Sequence, residues 1–348
     1  RRVLFRSTLL DPRIHEMCIP IIYGSPKVAA YHRKALNINN LSLNHIKSPK
    51  EAGPNRAHVL NCIDDEARVE LGKSTSIAGE ASYMALDKVV KDLQEGLIDV
   101  LVTAPINKDN IQSEKFNFPG HTEFLAQRCN TNNYLMLMVS EIMKVGLVTT
   151  HLPLSKVTES ITIEAILSKI RIISQSLQQD FAITRPRIAV LGLNPHAGDN
   201  GLLGKEESDI ILPAVIQAKK EGLIVLGPYP ADGFFGSEDY RKFDAILAMY
   251  HDQGMIPFKL ASFDRGVNYT AGLPFVRTSP AHGTAYSIAG EDKASPDSFR
   301  QALYLALDIY RNRKIYAEIS KNPLKKYDIA SNQEDESVDI EAEDDQTY

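Results

Sequence analysis

Short apolar runs alternate along this chain with segments that have the spacing of an amphipathic helix. The β-rich runs predict strands at 97–102, 135–139, 145–148, 188–193, 224–226 and 245–249. Helical spacing is clearest over 77–95, with Gly96 as a C-terminal cap, and a second helix is predicted over 206–221. This alternation is typical of an α/β protein with a largely parallel sheet.

A histidine follows three of the predicted strands: His151 after 145–148, His196 after 188–193 and His251 after 245–249. Ligands of parallel α/β sheets bind beyond the carboxyl ends of the strands. Three imidazoles with an open fourth position are also the donor set of a catalytic divalent-metal site. Three separate, hydrogen-bonded structural histidines are the alternative, and the spacing leaves both interpretations open.

The segment 118–123 predicts a Pro-Gly turn followed by the start of a helix. Backbone N–H groups at that position, with the side chains of His121 and Thr122, suit a phosphate or a carboxylate. The alternative is an ordinary helix start that Thr122 caps without any ligand.

Polar and charged groups recur among apolar ones between 250 and 277. Together they could bind an anionic substrate through His251, Asp252, Lys259, Asn268 and Arg277. The apolar neighbours of Lys259 indicate that this side chain points inward, whereas a solvated loop with ion pairs is the alternative. A loop of small residues at 279–285 would let a nucleotide approach the backbone closely. The GxGxxG pattern of dinucleotide-binding loops is absent, so this signal is weak.

Composition narrows the class of protein. With 43% apolar and 24% charged residues, the chain is typical of soluble globular proteins. No apolar stretch is long enough for a membrane span, and three distant cysteines indicate a reducing, cytoplasmic setting. The segment 333–348 contains eight acidic and no basic residues. The rest of the chain therefore has 36 of the 44 acidic residues and all 39 basic ones, so it is nearly neutral. We therefore expect no nucleic-acid partner and a disordered acidic tail over 332–348.

The motifs, taken in order, resemble those of the 4-hydroxythreonine-4-phosphate dehydrogenase family from about Leu10 to about Arg311. The similarity includes TAPINK at 103–108, GHTEFL at 120–125, NPHAG at 194–198, YHDQG at 250–254 and the stretch 268–290. The resemblance implies an isocitrate/isopropylmalate-dehydrogenase-like fold of two α/β/α domains. It also implies a homodimer whose active site uses residues of both chains. The first domain would be 8–120 plus 268–331, on the nucleotide side, and the second 121–267, on the metal and dimer side.

The resemblance also implies roles for individual residues. His151, His196 and His251 match the family's ligands for a divalent metal, which is zinc or, alternatively, magnesium or cobalt. Its substrate-binding residues match His121, Thr122, Lys259, Asn268 and Arg277. The loop of His282, Gly283, Thr284 and Ala285 is similar to the adenosine-binding loop of isopropylmalate enzymes. In those enzymes an acid at the position of Ser287 favours NAD and a base favours NADP, so either cofactor stays open.

The activity that the resemblance implies is NAD(P)- and metal-dependent oxidation and decarboxylation of 4-phosphooxy-L-threonine to 3-amino-2-oxopropyl phosphate, in vitamin B6 biosynthesis. Candidate proton carriers are Asp252, Asp232 and Lys108, and each of them could instead form a structural ion pair. Two kinds of alternative remain. One is a paralogous dehydrogenase acting on D-threonate or D-erythronate 4-phosphate, or on an aromatic cis-dihydrodiol dicarboxylate. The other is a metal-dependent hydrolase or phosphoacyl transferase.

The start of the chain departs from the family's pattern. Residues 1–7, RRVLFRS, read as translated sequencing-adapter DNA, and we exclude them from the fold as an artefactual leader. The family begins with a strand and a loop of the form GDxxGIGxE, which are not found before Leu10. We therefore expect the opening strand to be missing and the chain as written to be weakly active, or inactive as a truncated form.

Overall fold

The computed structural model describes residues 8–35, 37–38, 40–63, 69–291 and 293–323. The predicted leader 1–7 and the predicted acidic tail 332–348 lie outside these described residues. Within them, no helix is long and apolar enough to cross a membrane.

Strands and helices alternate through the described chain, which confirms the α/β class. The strands are β1 (Ile21–Gly24), β2 (Leu43–Ile46), β3 (Ala57–Asn61), β4 (Val100–Val102), β5 (Leu135–Val139), β6 (Lys144–Leu147), β7 (Arg187–Leu191), β8 (Ile224–Tyr229), β9 (Ala245–Ala248), β10 (Val267–Ala271) and β11 (Val276–Pro280). The helices are α1 (Pro12–Met17), α2 (Pro26–Ala35), α3 (Ser76–Gln94), α4 (His121–Arg128), α5 (Val157–Ser160), α6 (Ile163–Gln179), α7 (Leu212–Lys220), α8 (Ala231–Gly236), α9 (His251–Ser262) and α10 (Asp297–Ile319).

Most of the elements predicted from the apolar pattern have bounds within a few residues of those in the structure. The strand predicted at 135–139 is β5 itself, and the helix predicted over 77–95 is α3 shifted by one residue. Gly96 follows the end of α3 in a left-handed conformation with φ 69°, as its role as a cap requires. The helix predicted over 206–221 begins instead with a π-helical turn, Glu207–Ile211, which leads into α7.

Two sheets organise these elements. The smaller sheet has the order β1-β3-β2 and is parallel throughout. The larger sheet has the order β4-β11-β10-β5-β6-β9-β7-β8. Strands β6, β9, β7 and β8 are parallel, but the pairings β11–β10, β10–β5 and β5–β6 are antiparallel. The prediction of a largely parallel sheet was therefore wrong for its centre, because apolar periodicity marks a strand without giving its direction.

Both faces of the larger sheet are buried. In β5, Leu135, Leu137 and Val139 face one hydrophobic core, whereas Met138 faces another. The first core lies against α6, α7 and α10, and the second lies against α8 and α9. Helices on both faces of one sheet make the three-layered α/β/α arrangement that the resemblance implied.

A buried charged network ties β10 to the helices of one layer. The carboxylate of Asp180, which is fully buried after the end of α6, accepts hydrogen bonds from Tyr269 Oη, Ser176 Oγ and Arg313 Nε, each at 2.6 Å. Tyr269 lies in β10 and Arg313 in α10. The guanidinium also donates to the carbonyl of Leu273 at 3.1 Å. Because both charges are paired and hydrogen-bonded, the network holds α6, α10 and β10 in one relative position.

We expect Arg313→Met to lower the free energy of unfolding by about 3–5 kcal/mol, because it leaves the Asp180 carboxylate buried without its cation. Urea denaturation measures this change. Arg171→Met is a suitable control, since Arg171 pairs with Glu221 at the surface and its removal should hardly change the unfolding midpoint. Equal midpoints for both variants would show that the network does not stabilise the fold.

Candidate active site

The three strand-end histidines follow neighbouring parallel strands. The sheet order β6-β9-β7 places the carboxyl ends that precede His151, His251 and His196 side by side. The prediction that these histidines reach one edge of the sheet is therefore confirmed. This edge, which we call the histidine edge, is where ligands of parallel α/β sheets bind.

Two of the three imidazoles are already close to each other. The ring centroids of His151 and His251 are 6.4 Å apart. His251 Nδ1 lies 2.7 Å from Asp252 Oδ1, and His151 Nδ1 lies 3.6 Å from Glu123 Oε1. A carboxylate at Nδ1 directs the other ring nitrogen, Nε2, toward a ligand, which is the usual arrangement around metal-binding histidines.

His196 lies in a loop with an unusual backbone. Residues 196–201 all have positive φ angles, from 43° at Asp199 to 93° at Gly201. The buried carboxylate of Glu207 holds the start of this loop by accepting hydrogen bonds from the backbone N–H groups of Leu193 and Asn194, each at 2.7 Å. His196 itself is exposed. Within the described part of the chain, no three His, Cys, Asp or Glu side chains are grouped closely enough to hold a metal ion.

Arg277 is a buried cation that forms no ion pair with any of the described residues. It is 2% exposed, and its guanidinium donates to Thr103 Oγ1 at 2.7 and 3.1 Å and to Thr270 Oγ1 at 3.2 Å. Burial lowers the pKa of this guanidinium to about 10, although the negative charge of Glu123 acts to raise this pKa. A buried charge normally has a paired counterion, so this arrangement suits an anionic ligand.

The predicted turn and helix start lie beside Arg277. Helix α4 begins at His121, and Gly120 is its N-cap without any side-chain cap, so the interpretation in which Thr122 caps the helix does not apply. Burial, and then the positive charges of Arg277 and Lys108, holds the pKa of His121 well below its ordinary value. His121 is therefore a neutral hydrogen-bonding group next to two cations. Together Arg277, Lys108 and His121 form what we call the cationic cluster.

A cavity of about 320 Å³ joins the first turn of α4 to the histidine edge. Its lining includes Thr122 and His151, which the sequence predicted as site residues. It also includes groups that sequence reasoning missed: Glu123, Thr149, Thr150, Ser160 and Lys169. Glu123, Thr149 and Thr150 could have been found as neighbours of predicted residues. Lys169 carries no local signal, because it lies within an ordinary amphipathic helix.

Two predicted substrate-binding residues lie away from the histidine edge. Strand β10 runs in the same direction as β6, so Asn268, its second residue, lies toward the opposite edge. Asn268 Oδ1 is buried and has no hydrogen-bond partner among the described residues. Lys259 lies two turns along α9 from His251 and is exposed, so the prediction that it points inward was wrong for a single chain. The apolar residues around it do not all face the core, since Phe258 is buried but Leu260 is 88% exposed.

The predicted cofactor loop follows β11. Gly283, Thr284, Ala285 and Ser287 are exposed, and Ala285 has φ 53°. There is open space around the Cα of Gly283, as close approach of a nucleotide would require. His282 has a buried Nε2 atom without a partner in the described structure. These features are compatible with a nucleotide-binding loop.

The candidate proton carriers border different parts of this region. Asp252 hydrogen-bonds His251 at the histidine edge, and Lys108 lies near Gly120 and His121. Asp232 is exposed on α8, which packs against the His196 loop.

The fold and the geometry define an α/β enzyme in which a buried arginine and a neutral histidine lie beside strand-end histidines. The chain belongs to the family described as "Pyridoxal phosphate biosynthetic protein PdxA", whose sequence model matches residues 16–306. The resemblance drawn from the motifs is thereby confirmed.

Individual relatives agree with this family. The 4-hydroxythreonine-4-phosphate dehydrogenase of Bacteroides thetaiotaomicron is 56% identical over 322 residues, which cover 92% of this chain and 88% of the relative. The enzyme of the same name from a Sulfurihydrogenibium species is 43% identical over 294 residues, covering 84% and 90%. A crystal structure of 4-hydroxythreonine-4-phosphate dehydrogenase from Klebsiella pneumoniae superposes with a TM-score of 0.74 at 36% identity, covering 83% of this chain and 88% of that one. The fold expected from the resemblance is confirmed.

The lowered pKa of His121 predicts a pH dependence of stability. Between about pH 6.5, the ordinary pKa of histidine, and the lower pKa in the folded chain, only the unfolded state takes up a proton at this side chain. The stability that His121 contributes is therefore fully present above this window and is lost as the pH falls through it. Urea denaturation at pH 7.5 and pH 5.5 should show a larger loss in the wild type than in His121→Gln. Equal losses would contradict a His121 that stays neutral in the folded chain.

Proposed function

We propose that this chain catalyses the NAD(P)-dependent oxidation and decarboxylation of 4-phosphooxy-L-threonine to 3-amino-2-oxopropyl phosphate, a step of vitamin B6 biosynthesis. The family and the names of the relatives support this proposal. The observation in this chain that carries it is Arg277, a buried guanidinium whose hydrogen-bond partners among the described residues are hydroxyl groups. A small phosphorylated acid would supply the missing negative charge.

The cationic cluster would hold one anionic group of the substrate. Arg277 and Lys108 supply positive charge, and the backbone N–H groups at the start of α4 point to the same region. Because His121 stays neutral, its imidazole can hydrogen-bond the substrate without adding charge repulsion to the two cations. Thr122, in the first turn of α4, adds a hydroxyl.

His151, His196 and His251 would hold a divalent metal, either zinc or, alternatively, magnesium or cobalt. The donor types fit such an ion, and His151 and His251 are adjacent with their Nδ1 atoms toward carboxylates. A metal held by these residues would lower the pKa of the substrate hydroxyl, and a bound nicotinamide would supply the hydride acceptor. His196 would supply the third imidazole. Within the described part of the chain, however, its side chain is not grouped with those of His151 and His251.

Oxidation of a hydroxyl needs a group that removes its proton, and decarboxylation needs a group that returns a proton to carbon. Asp252, Lys108 and Asp232 are the candidates in this chain. Asp252 and Lys108 lie beside the histidine edge and the cationic cluster, respectively. We propose that these two residues share the proton transfers, and that Asp232 supports the His196 loop from α8.

The nicotinamide cofactor would bind along the loop from His282 to Ala285. Its small, exposed residues and the unpartnered His282 Nε2 support this placement. Ser287 carries neither the acid that would repel a 2′-phosphate nor a base that would attract it. Both NAD and NADP are therefore compatible with the loop.

We also propose a homodimer with a shared active site. In one chain, Lys259 and Asn268 are separated from the histidine edge, so a second copy is needed to bring all the predicted substrate-binding residues together. Helix α9 and its C-cap residue present an exposed apolar stripe of Ile256, Leu260 and Phe263, at 64%, 88% and 64% exposure. The stripe has the spacing of one helix face and is typical of a surface covered by a partner.

The proposed activity is tested by reduction of NAD⁺ and NADP⁺ at 340 nm with 4-phosphooxy-L-threonine, D-threonate 4-phosphate and D-erythronate 4-phosphate side by side. We expect the first substrate to give the highest kcat/KM. Dialysis against a chelator should abolish the reaction, and Zn²⁺, Mg²⁺ or Co²⁺ should restore it. A preference for either of the other phosphates would identify the paralogous dehydrogenase instead. Hydrolysis without reduction would reject the dehydrogenase.

Complementation between inactive variants tests the shared site. Dimers of His151→Ala and dimers of Lys259→Ala should both be nearly inactive. After unfolding and refolding together, random pairing should restore about a quarter of the wild-type sites, because half of the dimers then contain one intact site of two. A mixture of His151→Ala with His251→Ala should not be rescued, since these residues lie together in one chain. No recovery in the first mixture would contradict a site built from His151 of one chain and Lys259 of the other.

A further inference from the structure

Lys169 is a half-buried cation that lines the cavity at the histidine edge. It lies in the second turn of α6, and its ammonium group donates to the carbonyl of Tyr134 at 2.8 Å and lies 5.5 Å from the centre of the Tyr134 ring. Burial lowers the pKa of this lysine. Among the described residues, no carboxylate forms an ion pair with it. With the Tyr134 carbonyl as its acceptor among the described residues, the ammonium group has two further N–H donors for a ligand.

The cavity around Lys169 has the chemistry of an oxyanion site. Four residues with hydroxyl side chains line it together with Lys169: Thr122, Thr149, Thr150 and Ser160. The hydroxyls of Thr149 and Ser160 donate to the backbone carbonyls of Met249 and Lys156. Its volume of about 320 Å³ is at the lower end of the range for small-molecule sites. The carboxylate of Glu123, which also lines the cavity, faces His151 Nδ1 at 3.6 Å.

We propose that Lys169 binds an oxyanion of the substrate in this cavity, as a second anion-binding group distinct from the cationic cluster. The identity of the anion as part of the substrate rests on the proposed function, because 4-phosphooxy-L-threonine carries both a phosphate and a carboxylate. One of these groups would lie at Arg277 and the other at Lys169. The ammonium donors and the hydroxyls of Thr122 and Thr150 would replace the water that either group loses on binding.

Lys144 provides a matched control for Lys169. It is also half-buried, burial likewise lowers its pKa, and its ammonium lies 5.0 Å from the centre of the Phe181 ring. It stands at the first position of β6, whereas the cavity is lined by the last residue of that strand, Leu147, and by residues that follow it. A general effect of removing a buried lysine should therefore appear equally at both positions, and loss of an anion site only at Lys169.

The test compares Lys169→Gln with Lys144→Gln. Glutamine keeps an N–H donor for the Tyr134 carbonyl but removes the charge, so it separates anion binding from a purely structural tether. The affinities for inorganic phosphate and for malonate are measured by calorimetric titration. Each titration is then repeated with the other anion in excess, so that this second anion occupies the cationic cluster. In Lys169→Gln the affinity for one of the two anions should fall roughly 10- to 100-fold, which is typical of losing a hydrogen bond to a charged group. The anion affected identifies the phosphate or the carboxylate as the partner of Lys169.

The KM for 4-phosphooxy-L-threonine should rise by a similar factor in Lys169→Gln, and Lys169→Arg should recover part of the affinity. Lys144→Gln should retain wild-type affinity for both anions. If the two glutamine variants bind both anions like the wild type, or if the wild type binds neither anion, Lys169 is only a tether between α6 and Tyr134. Anion binding that depends on Lys169 without any nicotinamide reduction would reject the proposed function but retain the anion site.

Discussion

The antiparallel pairing of β10 with β5 and β11 is the constraint on which the rest of the large sheet depends. It joins β4 and β11 to the four parallel strands that end at the histidine edge. Tyr269 in β10 is anchored to Asp180 and, through Arg313, to α10. Since the Asp180 carboxylate is buried and bonded to both Tyr269 and Arg313, a shift of β10 would unpair a buried charge. The positions of Arg277 and Asn268 follow from this fixed register.

The burial of Arg277 in the same sheet makes this region suited to binding an anionic ligand. Its guanidinium is buried between Thr103 and Thr270, which provide hydrogen bonds but no negative charge. The charge also affects its surroundings, since it helps to keep His121 neutral. Burying a cation is costly unless an anion compensates it, so a fold that retains this residue is suited to binding one. The proposed dehydrogenase activity is consistent with this balance, because its substrate carries two anionic groups.

The direction of the strands also explains why a single chain holds only part of the proposed site. His151 and His251 lie at one edge, while Asn268 lies toward the other and Lys259 lies two turns away along α9. These residues are separated along β10 and α9 within one chain. A second copy, docked through the apolar stripe of α9, would provide a simple solution. The cavity lined by Lys169 would remain within one chain, next to the histidines.

The sequence by itself determined the α/β class, most strand and helix positions, and the family, because these depend on local periodicity and on the order of short motifs. It also predicted that three histidines would reach one edge of the sheet, and the structure added that they follow the neighbouring strands β6, β9 and β7. Only the tertiary structure decided the antiparallel centre of the sheet, the exposure of Lys259 and the proximity of Lys169 to His151. These features depend on which distant segments pair and which faces are covered. The spacing of residues along the chain does not indicate such long-range contacts.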